Sequence, residues 1–165
     1  MAGKISQFLC ADHARLDDVL RRATVDSTRI DHTAYAEFRE GLLRHIGMEE
    51  KILFPAARSA RSGKRIQATA KLSLDHGALV ALLVLTPTHS IIAAIRAILD
   101  RHNPLEEGAG GVYEKCEQAL GAEADQIAAR LQNTPPVKVK TYNDSVVALE
   151  SARNALRRAG CDLDF

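Results

Sequence analysis

Four histidines and two glutamates occupy positions where a helical pattern requires apolar residues. Leucine and isoleucine recur every three or four residues through four segments of the chain, the spacing of a helix that buries one stripe. The polar residues that interrupt this stripe are His13, His45, Glu49, His76, His102 and Glu106. Imidazoles and carboxylates buried without partners would destabilise the fold strongly. The pattern therefore predicts that the six residues share one polar site.

These residues are also predicted to lie near one level of a helical bundle. His13 stands about ten residues before the end of its segment, and His45 stands about twelve residues after the start of the next. At a rise of about 1.5 Å per residue, the two imidazoles lie within a few ångströms of the same height. The same count places Glu49 level with His76 across the following link.

The site residues recur in an internal repeat. An Asp-His pair occurs at 12–13 and 75–76, and a His-x-x-x-Glu-Glu run occurs at 45–50 and 102–107. Two such halves, packed face to face, would combine four imidazoles and two carboxylates with approximate twofold symmetry. Imidazole with carboxylate suits iron, manganese or zinc, and two carboxylates that can bridge favour a dinuclear site. The repeat therefore predicts a metal centre.

Four antiparallel helices are the elements that must position these residues. Short polar links between long amphipathic segments make sequential helices antiparallel neighbours. The predicted fold is therefore all-α, an up-down-up-down four-helix bundle. The four helices are expected over about 4–23, from Thr33 past Ala56, over 64–85 and from Pro87, with Thr86 starting the last.

The chain beyond the bundle is predicted to add one further helix. The fourth helix is expected to break or bend at Pro104 and the glycines after it, and to resume over 112–131. Residues 133–165 would form an extended linker and a last helix, 144–159, packed on the bundle. The predicted bundle domain is residues 1–132.

Charge and apolar run length argue against nucleic-acid and membrane partners. The 165 residues carry 22 Lys and Arg against 21 Asp and Glu, a formal net charge of +1, so no strongly basic surface is expected. The longest apolar run, 78–85, is far shorter than the roughly 20 residues that cross a bilayer.

Three widely spaced cysteines indicate free thiols. We expect a cytoplasmic protein.

The order and spacing of the polar motifs resemble those of the hemerythrin-like, or HHE cation-binding, domain over roughly residues 4–132. The motifs are His13, His45-x-x-x-Glu49 with the run EEKILFP from residue 49, His76, and His102-x-x-x-Glu106. The resemblance implies a non-haem di-iron centre whose two iron ions share an oxide or hydroxide. It implies one iron at His13 and His45, the other at His76 and His102, and bridging carboxylates at Glu49 and Glu106.

Two departures separate the chain from oxygen-carrying hemerythrins. Those carriers have a further histidine four residues after the one in the third helix, where this chain has Val80. They also use a carboxylate five residues after the last histidine, which falls on Glu107 rather than Glu106. We therefore expect a centre that does not carry oxygen reversibly.

The resemblance predicts a protein that binds or reacts with a small ligand, O2, NO or peroxide, in sensing, storage or protection. It favours a metal-binding protein over a dedicated enzyme. The alternatives are a di-iron oxidase or peroxidase and a zinc-stabilised structural or interaction bundle. The Glu-x-x-His motif of ferritin-like proteins is absent from the sequence.

The remaining polar candidates are expected to lie at the surface. His32 precedes the second helix, and His89 lies 13 residues after His76, so neither shares the buried stripe. Asp12 and Asp75 each precede a candidate ligand, but adjacent helical residues diverge by about 100°. Both aspartates could accept a hydrogen bond from an imidazole and orient it, but we favour a solvent-facing position for them.

Overall fold

The structure is a computed structural model that describes residues 3–165. Within this range the chain forms eight α-helices and no strand, which confirms the all-α prediction. They are α1 Lys4–Ala23, α2 His32–Met48, α3 Phe54–Ala60, α4 Gln67–Val84, α5 His89–Glu107, α6 Val112–Leu120, α7 Ala124–Gln132 and α8 Val146–Arg158. None of these described helices has the length and apolar character needed to cross a membrane.

Four of the helices form the predicted bundle. α1 packs against α2 and α5, and α4 packs against the same two helices, so the four close a ring of neighbours. Short links join α1 to α2 and α4 to α5, which makes sequential helices antiparallel. The four-helix bundle predicted from the sequence is therefore confirmed.

The core of the bundle is divided into two apolar clusters. Cluster A contains Leu16 of α1 and Leu42 of α2, and cluster B contains Leu9 of α1 and Met48 of α2. α4 also contributes side chains to both clusters. The predicted polar residues lie between the clusters; His13, for example, stands between Leu9 and Leu16. The interrupted stripe of the sequence thus becomes a polar layer across the bundle.

The second bundle helix departs from the prediction beyond Glu49. The apolar spacing predicts a continuous helix with Ile52 and Ala56 on its buried face, and this is wrong. A π-helical turn, Glu49–Leu53, interrupts the α-helical geometry. The extra residue rotates the helix beyond the turn, so the fully buried positions are Leu53 and Ala57, while Ile52 and Ala56 are only half-buried.

The π-helical turn has a local cause. Pro55, at the start of α3, has no N–H, and its ring would clash with a carbonyl of an ordinary α-helical turn. The Phe54 N–H instead donates to the Glu49 carbonyl, five residues earlier. Turns of this kind occur frequently at functional sites, and this one begins at a candidate ligand.

α4 begins later than predicted, at Gln67 rather than near residue 64. Ile66, the residue before α4, has an extended backbone with φ of −72° and ψ of 126°. This conformation lies outside the α-helical region, so the helix cannot begin before it. The link between α3 and α4 is therefore longer than the sequence indicates.

α5 begins at His89, and the start predicted at Thr86 is wrong. Thr88 caps the helix, because its Oγ1 accepts a hydrogen bond from the Ile91 N–H. Thr86 instead binds Asp144 through both its N–H and its hydroxyl, at 2.9 and 2.7 Å. The residue before Pro87 therefore anchors the C-terminal segment.

The predicted break at Pro104 lies further along the chain. α5 continues through Pro104 to Glu107, and the chain turns at residues 108–111. The predicted helix 112–131 is divided into α6 and α7 by Gly121, whose φ is 51°. α6 packs against α3 and α5, α7 packs against α1, and both complete cluster B.

The C-terminal segment packs along the side of the bundle. Residues 133–145 form a link without regular structure, and α8 lies against α4. Ser145 caps α8, while Ala152 and Leu156 join cluster A. The predicted last helix is present, and the domain boundary at residue 132 stays a prediction.

Candidate metal centre

The structure brings all six candidate ligands together in the polar layer. His13 comes from α1, His45 from α2, Glu49 from the π-helical turn, His76 from α4, and His102 and Glu106 from α5. Each is at most 7% exposed, and both glutamates are fully buried. Two overlapping groups have ligand atoms that all lie within 4.8 Å of one another. They are Glu49, His76, His102 and Glu106, and His13, His45 and Glu49.

Distances in the first group match the spacing of atoms around a metal ion. The Nε2 atoms of His76 and His102 lie 3.1 Å apart. His76 Nε2 lies 3.1 Å from Glu49 Oε2, and His102 Nε2 lies 3.1 Å from Glu106 Oε1. For a metal–nitrogen distance of about 2.1 Å, two ligand atoms at right angles are about 3.0 Å apart.

Each carboxylate reaches both histidine pairs. Glu49 directs Oε1 towards His45 Nε2, at 3.4 Å, and Oε2 towards His76. Glu106 directs Oε2 towards His13 Nε2, at 3.5 Å, and Oε1 towards His102. A carboxylate whose two oxygens face different imidazole pairs has the geometry of a bridging ligand.

Two buried oxygen atoms support the fit of a cation. Glu49 Oε2 and Glu106 Oε1 have no hydrogen-bond partner among the described residues, although both are completely buried. An unsatisfied buried carboxylate oxygen is costly. Both atoms lie beside imidazole Nε2 atoms, so a cation between them would satisfy oxygens and nitrogens together.

A second carboxylate contacts the other ring nitrogen of each of the four site histidines. His45 Nδ1 lies 2.9 Å from Asp12, His76 Nδ1 lies 2.7 Å from Glu50, and His102 Nδ1 lies 3.4 Å from Asp75. His13 Nδ1 makes a short contact with Glu107. When Nδ1–H donates to a carboxylate, the Nε2 lone pair is left to face the centre.

The prediction that Asp12 and Asp75 face solvent is wrong. Asp12 is 7% exposed and Asp75 is fully buried. The angle of about 100° between adjacent helical residues turns each aspartate away from its neighbouring histidine. In a bundle, that direction leads to the next helix, where the histidine of the same half of the repeat lies. His32 and His89 are exposed, as predicted.

Glu106, and not Glu107, faces the interior. Glu106 is fully buried, whereas the Glu107 side chain is 34% exposed and contacts His13 from outside. The four-residue spacing from His102 places Glu106 on the histidine's side of α5. Val80 is 37% exposed, so the position of the additional histidine of oxygen carriers points away from the core.

Mutual attraction controls ionisation in the site. Burial alone would lower the pKa of His45, but Glu49 and Asp12 outweigh it and raise the pKa to about 10. Burial also lowers the pKa of His76, but Glu49 and Glu50 outweigh this effect and raise the pKa to about 9. Burial and the nearby charge of Glu49 raise the pKa of Glu106. Without a cation the imidazoles of His45 and His76 therefore hold their protons against the neighbouring carboxylates.

Sequence reasoning missed Tyr113, which comes from the first turn of α6. Its Oη lies 2.5 Å from Glu49 Oε1 and 3.2 Å from Glu106 Oε2. It lies 3.3 Å from Nε2 of His13 and 3.3 Å from Nε2 of His45. Burial, with the charges of both glutamates, raises the pKa of this phenol. No motif marks Tyr113, because a tyrosine in a buried stripe is also an ordinary core residue.

A cavity of about 860 Å³ reaches the site from the side of α6. Tyr113, Glu106 and Glu107 line its inner part, and Cys10 borders it. The other ionisable side chains in its lining are Lys4, Glu114, Glu117 and Asp125. Carboxylates therefore outnumber cations along the cavity.

Fold and site together define a helical bundle with a buried histidine–carboxylate cluster suited to a cation. A model of the hemerythrin HHE cation binding domain matches residues 4–113. That match spans more than half of the chain, which therefore belongs to the hemerythrin HHE cation-binding family. Among curated proteins and solved structures, nothing matches the chain.

Proposed function

We propose that the chain is a non-haem di-iron protein that binds or reacts with a small ligand, O2, NO or peroxide. The observation that carries the proposal is that Glu49 and Glu106 each direct their two oxygens to different histidine pairs. In the proposed centre, His13 and His45 hold one iron, His76 and His102 hold the other, and the glutamates bridge them. Bound iron would supply redox chemistry and an open coordination position for the ligand.

The outer carboxylates support a redox-active metal site. Carboxylates on Nδ1 raise the basicity of ligating imidazoles and fix their rings. Asp12, Glu50, Asp75 and Glu107 provide this support at all four histidines. The site is thus preorganised, and a bound ligand need not reorder it.

The cavity beside α6 supports an uncharged ligand. Its lining includes Glu107, Glu114, Glu117 and Asp125, against the single cation Lys4. A negative lining disfavours entry of anions and leaves small neutral molecules unaffected. O2, NO and hydrogen peroxide are neutral at physiological pH, so all three fit this access route.

The proposal extends to biological role and compartment. We infer a role in sensing, storage or protection. In the proposed centre the four buried histidines would hold metal, and a ligand as small as O2, NO or peroxide would need no further substrate pocket. The three cysteines are free in the structure, which agrees with a reducing, cytoplasmic compartment.

Metal analysis with an optical spectrum recorded in air tests the proposal. Protein expressed with ample iron should contain about two iron atoms per chain, because two histidine pairs are present. It should also be coloured, because oxo-bridged ferric iron absorbs visible light. His45→Ala should lose most of the metal, whereas His32→Ala, at an exposed histidine of α2, should keep it. One zinc per chain with negligible iron would contradict the proposal and indicate a structural zinc bundle.

A further inference from the structure

The two halves of the site differ in the aromatic residue beside the histidine, because only one of these residues carries a hydroxyl group. The rings of His76 and Phe54 stack with centroids 6.1 Å apart, and the rings of His13 and Tyr113 lie 5.9 Å apart. Each Asp-His motif of the repeat therefore has an aromatic neighbour. Only the neighbour of His13 carries a hydroxyl group, and that hydroxyl points into the polar layer.

The half with the hydroxyl is the half whose Nε2 atoms lie further from Glu49 and Glu106, at 3.4 and 3.5 Å against 3.1 Å in the other half. His76 and His102 share a group of four with Glu49 and Glu106, whereas His13 and His45 share a group of three with Glu49. Tyr113 Oη lies 3.3 Å from Nε2 of each histidine in the group of three. The phenolic oxygen thus stands beside both histidines of this half, where it can add a ligand atom to the two carboxylates.

The contacts of the phenol oxygen also have the geometry expected around a shared metal ion. A phenol donates one hydrogen bond, and the 2.5 Å distance assigns it to Glu49 Oε1. In the neutral state that metal binding requires, His13 and His45 direct Nδ1–H to Glu107 and Asp12, and their Nε2 lone pairs then face the phenol oxygen. Two lone-pair contacts at 3.3 Å are explained by a shared cation: ligands about 2.1 Å from a metal lie about 3.0 to 3.4 Å apart.

We propose that Tyr113 is a seventh protein ligand, whose phenolic oxygen binds the metal held by His13 and His45. The bound metal replaces the phenolic proton, which leaves to solvent. Tyrosine oxygen is an established ligand of iron in proteins. The inference rests on the proposed metal centre, but it does not depend on whether the metal is iron or zinc. It makes the centre asymmetric, with a phenolate at one metal position only.

Ultraviolet difference spectra of the metal-free protein titrated with Zn²⁺ provide the first test. The chain has no tryptophan and three tyrosines, so ionisation of one tyrosine is read without an indole background. We expect one tyrosinate per chain to appear as metal binds to the wild-type protein. Tyr113→Phe should bind metal without this signal. Tyr35→Phe, which changes another buried tyrosine, and Tyr142→Phe should both retain it.

The visible spectrum of iron-loaded protein provides the second test. Ferric iron bound to phenolate absorbs through charge transfer from the ligand, and this band should be lost in Tyr113→Phe. Metal loading without a tyrosinate signal in the wild-type protein would overturn the inference, and Tyr113 would then only donate to Glu49. The iron content of the same samples decides the proposed function separately. Zinc loading with a tyrosinate signal but no iron would overturn the di-iron proposal alone, and failure to bind either ion would overturn both.

Discussion

Asp12 of α1 holds Nδ1 of His45, on α2, at 2.9 Å, so the residue next to one histidine in sequence orients a different histidine. Asp75 relates to His102 in the same way, across α4 and α5. Within each half of the repeat, the Asp-His pair thus supports the histidine of the His-x-x-x-Glu-Glu run. Glu50 and Glu107, at the ends of those runs, support the histidine of the other half.

This arrangement predicts that Asp12→Asn weakens metal binding. The variant keeps the size of the side chain and removes the charge that holds His45 Nδ1–H. Loss of such an outer carboxylate typically lowers metal affinity about 10- to 100-fold. Competition with a chelator of known affinity measures the effect. Asp17→Asn, at an exposed aspartate of the same helix, is the matched control and should match the wild type.

The stabilisation that metal provides should increase with pH. The pKa of His45 is raised to about 10 in the folded metal-free protein, against an unfolded value of about 6.5. Its contribution to folding is therefore complete below about pH 6.5 and is lost as pH rises through about 10. Metal binding needs neutral imidazole and strengthens over the same interval. The difference in Tm between loaded and metal-free protein should widen from pH 6.5 to 9, and a constant difference would contradict this.

We expect the reaction of the reduced protein with oxygen to be irreversible. Val80 carries no ligand atom and points outwards, so no additional imidazole is available to restrict oxygen to one metal. Absorption spectra should change on aeration and should not return under argon. Recovery of the reduced spectrum without added reductant would show reversible oxygen carriage instead.

Arg39 should stabilise the fold without influencing the metal. Its side chain is buried, donates to the carbonyls of Leu83 and Lys140 at 2.7 and 2.8 Å, and stacks on Tyr142. Arg39→Met should lower the free energy of unfolding by about 2 to 3 kcal/mol, because these carbonyls lose a charged donor. Denaturant unfolding measures the loss, and metal content should stay unchanged. Arg22→Met, at an exposed ion pair with Glu37, should change stability by less than about 0.5 kcal/mol.

The candidate ligands could be located from the sequence because burial has a fixed period along a helix. His13 and His76 interrupt that period in the same way, and the repeat makes the coincidence visible. The same periodicity failed beyond Glu49, because a π-helical turn shifts the buried face by one residue. The apolar spacing does not predict this shift, which only the burial of Leu53 in the structure reveals.

The supporting residues could not be located in this way. Asp12 lies off the apolar stripe of α1, and only the position of α2 decides whether that direction is solvent or protein. Tyr113 depends on the path of the chain through residues 108–111, which returns α6 to the bundle. Both roles arise from how helices meet, which local spacing does not determine.

The polar layer separates two apolar regions of the bundle, cluster A and cluster B. Clusters A and B are each stabilised by close packing of apolar side chains. The polar layer instead contains charged side chains, whose charges a bound metal would neutralise. Metal-free protein should therefore loosen at its middle while both ends stay folded. Such local opening would let an ion reach a fully buried site without unfolding of the chain, and binding would then lock the two ends together.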